Sequence, residues 1–469
     1  MSYSLQRRGF LKGALAAAAI VPVAACAGGG SSDDDVDAKD SGGEANTTDA
    51  ENPFGLEGPS EVDAVIFNGG YGIAYAEFAG EVLEKNHDEV TVKVSPTTEV
   101  AKELQPRFTG GDPPDVIDNA GAGKIGLSAI VDQLEDLNEV VDGLNLEGET
   151  IRDTLYAGSL EPGTIGDKLA EINYVLTVFA MWYSASLFEE KGWSPPQTWD
   201  EALELGEKAK EDGKYLFLWG NEAADYYLEM AITSAIKEGG DEVRIALDNL
   251  EEDCWSLPAI QEVFEKLKEC VDNGYFKPGG SGTQFTAAQA AWSNAQDALL
   301  YPSGAWIENE MKDQTKEGFE MTGTPVPTVT TSSSLPFEAI HSAADEGYIV
   351  PSQGKNVAGG KEFLRTMLSE EAATNFAKEI LSPTIVMDTV PEDAFGSTAL
   401  ASQIDMLGSA GENVFTWRFN AYYGMGKDHV QTWNSFLDGK LSVDEMTKQL
   451  QEVTDRIRED DAIDKFTVS

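Results

Sequence analysis

Residues 62–119 read VDAVIFNGGYGIAYAEFAGEVLEKNHDEVTVKVSPTTEVAKELQPRFTGGDPPDVIDN. The rhythm of this stretch decides the fold. VDAVIF (62–67) is a short apolar run, long enough for a strand and too short for a helix. NGGYG (68–72) breaks it. Residues 74–86 then carry Phe78, Val82 and Leu83 at helical spacing, with Glu81, Glu84 and Lys85 on the outside. EVTVKV (89–94) alternates apolar and polar residues, the period of a strand. Residues 100–108 are helical again, and TGGDPPDVI (109–117) is a turn entering a third strand. A strand–helix–strand–helix–strand order implies parallel strands and an α/β layer.

The same style continues outward. Thr198 precedes WDEALELGEKAK as a helix N-cap, with Glu201 at the capping-box position. YLFLW (215–219) reads as a strand and residues 226–237 as a helix. ALLY (298–301) reads as a strand, and PSGAW (302–306) turns into a helix beginning near Ile307. GYIV (347–350) is a further strand, residues 359–368 a helix, and the C-terminal third is largely helical. No repeat of 20–50 residues is present.

Toward the N-terminus, Arg7, Arg8 and Lys12 precede a short apolar run, residues 13–25, that ends at Cys26. A run this short has the shape of a signal peptide, whereas a spanning helix needs about 20 apolar residues. Arg7-Arg8 followed by Phe10-Leu11-Lys12 resembles the twin-arginine export pattern, with Gln6 where Ser or Thr is usual. Val23-Ala24-Ala25-Cys26 resembles a bacterial lipobox, with Val in place of the commoner Leu. That implies a signal peptide over 1–25, cleavage before Cys26 and a lipid on its sulfur. The alternative is an ordinary signal peptide with an incidental cysteine. Residues 26–60 are Gly-, Ser- and Asp-rich with almost no apolar side chains, so they are expected to be a disordered tether. The remaining chain exceeds what one core accommodates, so two domains are expected.

The formal charge is −49, and cleavage before Cys26 would remove three basic residues and no acidic ones. Such a surface repels phosphate backbones, which excludes nucleic acid as a partner. Salt screens its self-repulsion, which fits a saline habitat; a solvated exoprotein that merely lacks Lys and Arg fits as well. Apart from Cys26, the chain holds Cys254 and Cys270. An even pair in an exported protein is expected to form a disulfide; the alternative is two separate buried thiols. His87, His341 and His429 are scattered, and no Cys/His cluster has metal-ligand spacing. No cofactor is expected.

In open α/β sheets ligands bind beyond the carboxyl ends of the strands. The loops there carry Asn68 and Tyr71, Asp118 and Asn119, Trp219, and Trp306. Aromatic faces stack on the C–H faces of a pyranose, and amides and carboxylates take its hydroxyls. This is a sugar-site composition.

At this point four stretches carry a resemblance: FTGGDPPDVIDN (108–119), YSASLFEEKGWSPPQTWDEALELGEKAK (183–210), LLYPSGAWIENEM (299–311) and VPSQGKNVAGGKEFLRTMLSEEAATNFAKE (350–379). Together they resemble the large extracellular sugar-binding lipoproteins of ABC importers, the family that includes maltose-binding proteins. The last stretch, with GAWIENEM before it, looks most like actinobacterial N-acetylglucosamine/diacetylchitobiose-binding components. The resemblance implies a two-lobed α/β fold of periplasmic-binding-protein type with a hinge, a central ligand cleft and a helix-rich second lobe. It implies one lobe over 61–171 plus 340–383, the other over 172–339 plus 384–469, and crossings near 172, 340 and 384. It further implies a lipid-anchored monomer on the extracytoplasmic face of the cell membrane. That monomer would capture a mono- or oligosaccharide and deliver it to permease subunits served by an ATPase.

The resemblance places Asn68, Tyr71, Asp118, Asn119, Trp219, Tyr226, Trp306, Glu308, Trp417, Asn420 and Tyr422 at the sugar. Trp306 is the foremost stacking platform, since Gly304 and Ala305 clear space before it. Trp182, Trp193, Trp199, Trp255, Trp292 and Trp433 read as structural, as does Asp115. The competing class is a lipid-anchored glycosidase using two carboxylates. With 82 acidic residues carboxylate spacing carries no information, and the chain has no Gly-x-Ser-x-Gly elbow. A binder of another solute is the third reading. No enzymatic activity is expected.

Overall fold

The computed structural model describes residues 51–468 apart from 122 and 157. The leader expected over 1–25 and Cys26 lie outside the described residues, as does most of the tether. Strands β1 (Ser60–Phe67) and β2 (Val90–Thr97) flank helix α1 (Ala74–Asn86); helix α2 (Val100–Gly110) leads to β3 (Val116–Asp118). All three strands run parallel, with β1 between β2 and β3. The expected strand–helix–strand–helix–strand unit is therefore present. Along β1 the side chains alternate. Val62, Ala64 and Ile66 join a core with α1 and the helices Val357–Met367 and Glu370–Ile380, while Val65 faces the other way, with Leu104 and Phe108 of α2.

Beyond β3 come a short hairpin, β4 (Thr164–Ile165) and β5 (Lys168–Leu169), and then the long strand β6 (Ile172–Ser184). Strands β7 (Leu300–Ser303), β8 (Met321–Thr324), β9 (Ile340–Ile349) and β10 (Val414–Phe415) follow. Among the described residues they form an eight-stranded sheet in the order β2-β1-β3-β9-β6-β7, with β8 on β6 and β10 on β9. Strand β9 is antiparallel to β3 and β6 and parallel to β10.

Strands β6 and β9 belong to two cores. Ile172, Tyr174 and Val175 pack with α1, whereas Val178, Ala180 and Trp182 pack with Trp292, Tyr301 and Met406. In β9, Ile340 lies in the second of these cores and Tyr348 in the first. The segment after residue 384 also starts in the first core, through Ile385 and Val386, and reaches the second only at Ala399. A third cluster collects the helices Trp199–Glu211, Tyr226–Gly239, Pro258–Asp272, Gly426–Leu437 and Val443–Arg458.

Two expectations are corrected here. YLFLW (215–219) makes only isolated bridges, Tyr215 to Ala298 and Phe217 to Phe276, and no strand. Cys254 and Cys270 are both buried free thiols, so the disulfide is not formed. Cys270 packs on the inner face of Pro258–Asp272 with Val263, Phe264 and Leu267. Cys254 sits in a separate turn, its thiol 3.6 Å from Gln451 Oε1. Burial pushes both thiols up to about 12, which keeps them protonated and unreactive. At Thr198 the N-cap forms as expected, its hydroxyl accepting from Glu201 N at 3.3 Å, but the capping box does not close: the Glu201 carboxylate takes Gln197 N at 2.7 Å instead of the Thr198 N–H.

Candidate functional site

Strands β1, β2 and β3 all end at one cavity of about 670 Å³, the size range of small-molecule sites. Phe67 to Tyr71 leave β1, Thr98 and Ala101 follow β2, and Asn119 to Leu127 follow β3. The opposite wall is formed by Tyr226, Trp306 and Glu310 and by residues 416–427. Strands β6 and β9 supply the floor through Asn173 and Phe179, and through His341 and Glu346.

Trp306 occupies the centre of an aromatic group. Its ring meets Tyr71 edge-on at 6.3 Å and Phe179 at 5.5 Å, and is tilted against Tyr226 at 5.7 Å. Two glycines make this possible. A Cβ on Gly304 would fall 2.1 Å from the Trp306 ring, and one on Gly70 would fall 2.9 Å from Trp306 Cβ. Tyr71 is anchored by its hydroxyl, 3.0 Å from Thr177 Oγ1 on β6. Burial holds the Tyr226 hydroxyl well above its ordinary value, so it stays protonated.

The aromatic group continues through Phe179, which stacks on His341 with centroids 4.9 Å apart. Trp417 stacks on His341 with centroids 3.5 Å apart and planes 17° apart. His341 Nδ1 meets Phe415 O at 3.1 Å, and its Nε2 lies 3.4 Å from Glu229. Tyr422 lines the cavity as well. Asn420 is held by His429 Nδ1 at 3.0 Å, and burial lowers that imidazole to about 4, so His429 is neutral there near pH 7.

Polar groups line the cavity beside these rings. Glu171, Asn173 and Glu346 are buried at the floor; the Glu171 carboxylate lies directly over Gly347, where a Cβ would be 2.3 Å from its Cδ. Glu346 adopts φ +56° within β9, a left-handed conformation uncommon for a side chain of this size. Glu310 accepts from Gln289 Nε2 at 2.8 Å, and burial raises its carboxyl above the usual range. Aromatic faces with interleaved carboxylates and amides suit a neutral polyhydroxylated ligand, which offers C–H faces and hydroxyls together.

Residues 69–374 match the family described as bacterial extracellular solute-binding protein. The chain belongs to this family. The solute-binding protein is 53% identical over 466 residues to the diacetylchitobiose binding protein NgcE of Streptomyces coelicolor, covering 99% of each chain. It is 22% identical to the multiple sugar-binding protein of Streptococcus mutans, over 65% of this chain and 70% of that one. Among solved structures, a chitin oligosaccharide binding protein superposes with a TM-score of 0.66 at 16% identity, covering 82% of this chain and 94% of that one. The solute-binding protein RafE in complex with raffinose gives 0.64 at 18%, covering 85% and 99%. The fold is accordingly the two-lobed solute-binding type, with the cavity in its central cleft.

In this solute-binding protein the cavity collects Asn68, Tyr71, Asn119, Tyr226, Trp306, Trp417, Asn420 and Tyr422 of the expected residues. Three others lie elsewhere. Asp118 precedes Asn119 on an alternating strand, so it faces the opposite side, where Tyr75 OH reaches its Oδ2 at 3.4 Å. Trp219 is buried against Gly280 and Phe276, and its Nε1 donates to Asn434 Oδ1 at 3.1 Å. Glu308 turns away and accepts from Ser397 Oγ. The Asn119 amide is used on its own loop, bonding Ile125 N and O. Sequence reasoning missed Glu310, yet helical spacing points to it: four residues after Trp306, it shares that face. It also missed Phe67, Phe179, Glu171, Asn173, His341 and Glu346.

Proposed function

We propose that this protein is the capture component of a carbohydrate ABC importer, taking diacetylchitobiose or N-acetylglucosamine into the cleft. One observation carries the reading: 53% identity along the full length of a relative named for diacetylchitobiose binding. The cavity chemistry supports it. Trp306, Tyr71, Tyr226, Trp417 and Tyr422 all line the cavity, and the pyranose rings stack on Trp306 in this reading. In this reading Asn68, Asn420 and Glu310, all lining the cavity, meet the hydroxyl and acetamido groups. The protein performs no chemistry on the sugar. Lobe closure about β6 and β9 buries the ligand, and the closed form presents it to the permease. In this reading the first lobe holds 61–171 and 340–383 and the second 172–339 and 384–469. The test is calorimetric titration of the purified protein with N-acetylglucosamine, diacetylchitobiose, maltose and cellobiose. Binding of the first two is expected. Binding of another sugar alone moves the ligand and keeps the importer role; no binding to a wider sugar panel ends the sugar reading.

The address belongs to the same proposal. Export by the twin-arginine signal, cleavage before Cys26 and lipid on that cysteine would tether a monomer to the outer face of the cell membrane. Among the described residues no helix is long and apolar enough to cross a membrane. In cells fed a labelled fatty acid, the wild-type chain should take up label and Cys26→Ala should not. Equal label in both would remove the anchor.

A further inference from the structure

We propose that Asn309 is a positioning residue that latches the two lobes beside the cavity and sets how long a bound sugar is held. This rests on the sugar-binding reading above. Asn309 lies in the short helix Ile307–Met311, whose Ile307 and Met311 are in the core with Trp182 and Tyr301. Its Nδ2 donates to Gly70 O at 2.6 Å, 239 residues away in the chain. Gly70 is on the loop leaving β1, and the next residue, Tyr71, belongs to the other core. The amide orientation is set by a second bond: Lys312 Nζ donates to Asn309 Oδ1 at 2.9 Å, which leaves the NH2 group for Gly70.

Two further bonds join the same halves at other points of the cleft. Ser128 Oγ donates to Tyr422 O at 3.2 Å, and Arg418 donates to Thr164 O at 2.7 Å. Each pairs a side-chain donor with a backbone carbonyl. Each such bond trades against water for a modest net gain, enough to slow opening without locking the lobes, and closing needs no rearrangement. Arg418 lines the cavity and Asn309 does not, so loss of the Asn309 amide removes a tie between lobes and no sugar contact. It also frees the Gly70 loop that presses on Trp306.

The experiment compares wild type with Asn309→Ala and Asn309→Asp. Stopped-flow mixing with diacetylchitobiose gives association and dissociation rates separately. A spin-label pair at E81C on α1 and K208C on the helix Trp199–Glu211, both exposed sites, gives the lobe separation without sugar. Dissociation should quicken about three- to tenfold in Asn309→Ala, and more in Asn309→Asp, whose carboxylate would face the Gly70 carbonyl. Association should be unchanged, and the sugar-free label distances should lengthen in both. Unchanged dissociation, or unchanged label distances, in both variants overturns the latch. Asn309→Asp keeps the side-chain volume and so covers the case in which the alanine variant folds poorly. If wild type binds no sugar, the ligand reading fails while the label distances still decide the latch.

Discussion

Replacing Trp306 with Ala should weaken sugar binding by about 2–4 kcal/mol, roughly thirty- to a thousandfold in Kd. The indole is ringed by Tyr71, Phe179 and Tyr226, and Gly304 and Gly70 have no room for a Cβ beside it. Truncation therefore removes a stacking face and leaves a gap that glycine backbone cannot refill. The loss should appear mainly as faster release. Trp306→Phe should retain part of the affinity, because it keeps an aromatic face of smaller area. Calorimetry on the three proteins, with thermal melts to confirm folding, makes the comparison. An alanine variant that binds within twofold of wild type would take Trp306 out of the site.

The second large effect is on stability. Arg365→Met should cost about 3–5 kcal/mol, because it strands a buried carboxylate. The Arg365 guanidinium donates to Glu362 Oε1 at 2.7 Å, to Leu144 O at 2.6 Å and to Asn145 O at 3.2 Å. The Arg365 and Glu362 side chains are 4% and 1% exposed. His87 Nε2 lies 3.1 Å from the same Glu362 oxygen. The double variant Arg365→Met with Glu362→Gln should recover part of the loss, since it removes the charge as well as its partner. Urea unfolding followed by tryptophan fluorescence gives the differences. A single-variant cost below about 1 kcal/mol would show that water reaches this cluster. Arg365 does not line the cavity, so sugar affinity should hold.

The first α/β unit was readable because period and punctuation agree there. The expected helix over 74–86 coincides with α1, and the strand at 62–67 lies within β1. Strand β6 was equally readable, since INYVLTVFAMWYS is one continuous apolar and β-branched run, yet only its tail was taken into the family resemblance. The front half of β9 was not readable. HSAADEG has little strand propensity, and its extended form comes from pairing with β6 along 341–348. The site follows the same division. Tyr71 and Trp306 stand in loops whose glycines announce close approach, whereas Glu171 and Glu346 reach the floor only because two distant strands pair. Trp219 shows the opposite error: an aromatic at a supposed strand end became core once no strand formed there.

Strand β9 lies between β3 and β6, although its residues come more than 150 positions after β6 ends. During synthesis β3 and β6 therefore each wait with an open edge. At about 5–20 residues per second, roughly 10–30 s pass between completion of β6 and arrival of β9. Two of the cores draw on separated pieces of chain, one joining residues 56–175 with 348–386 and the other 178–340 with 399–410. For that interval the nascent chain carries two unpaired strand edges, the feature through which strands pair with other chains.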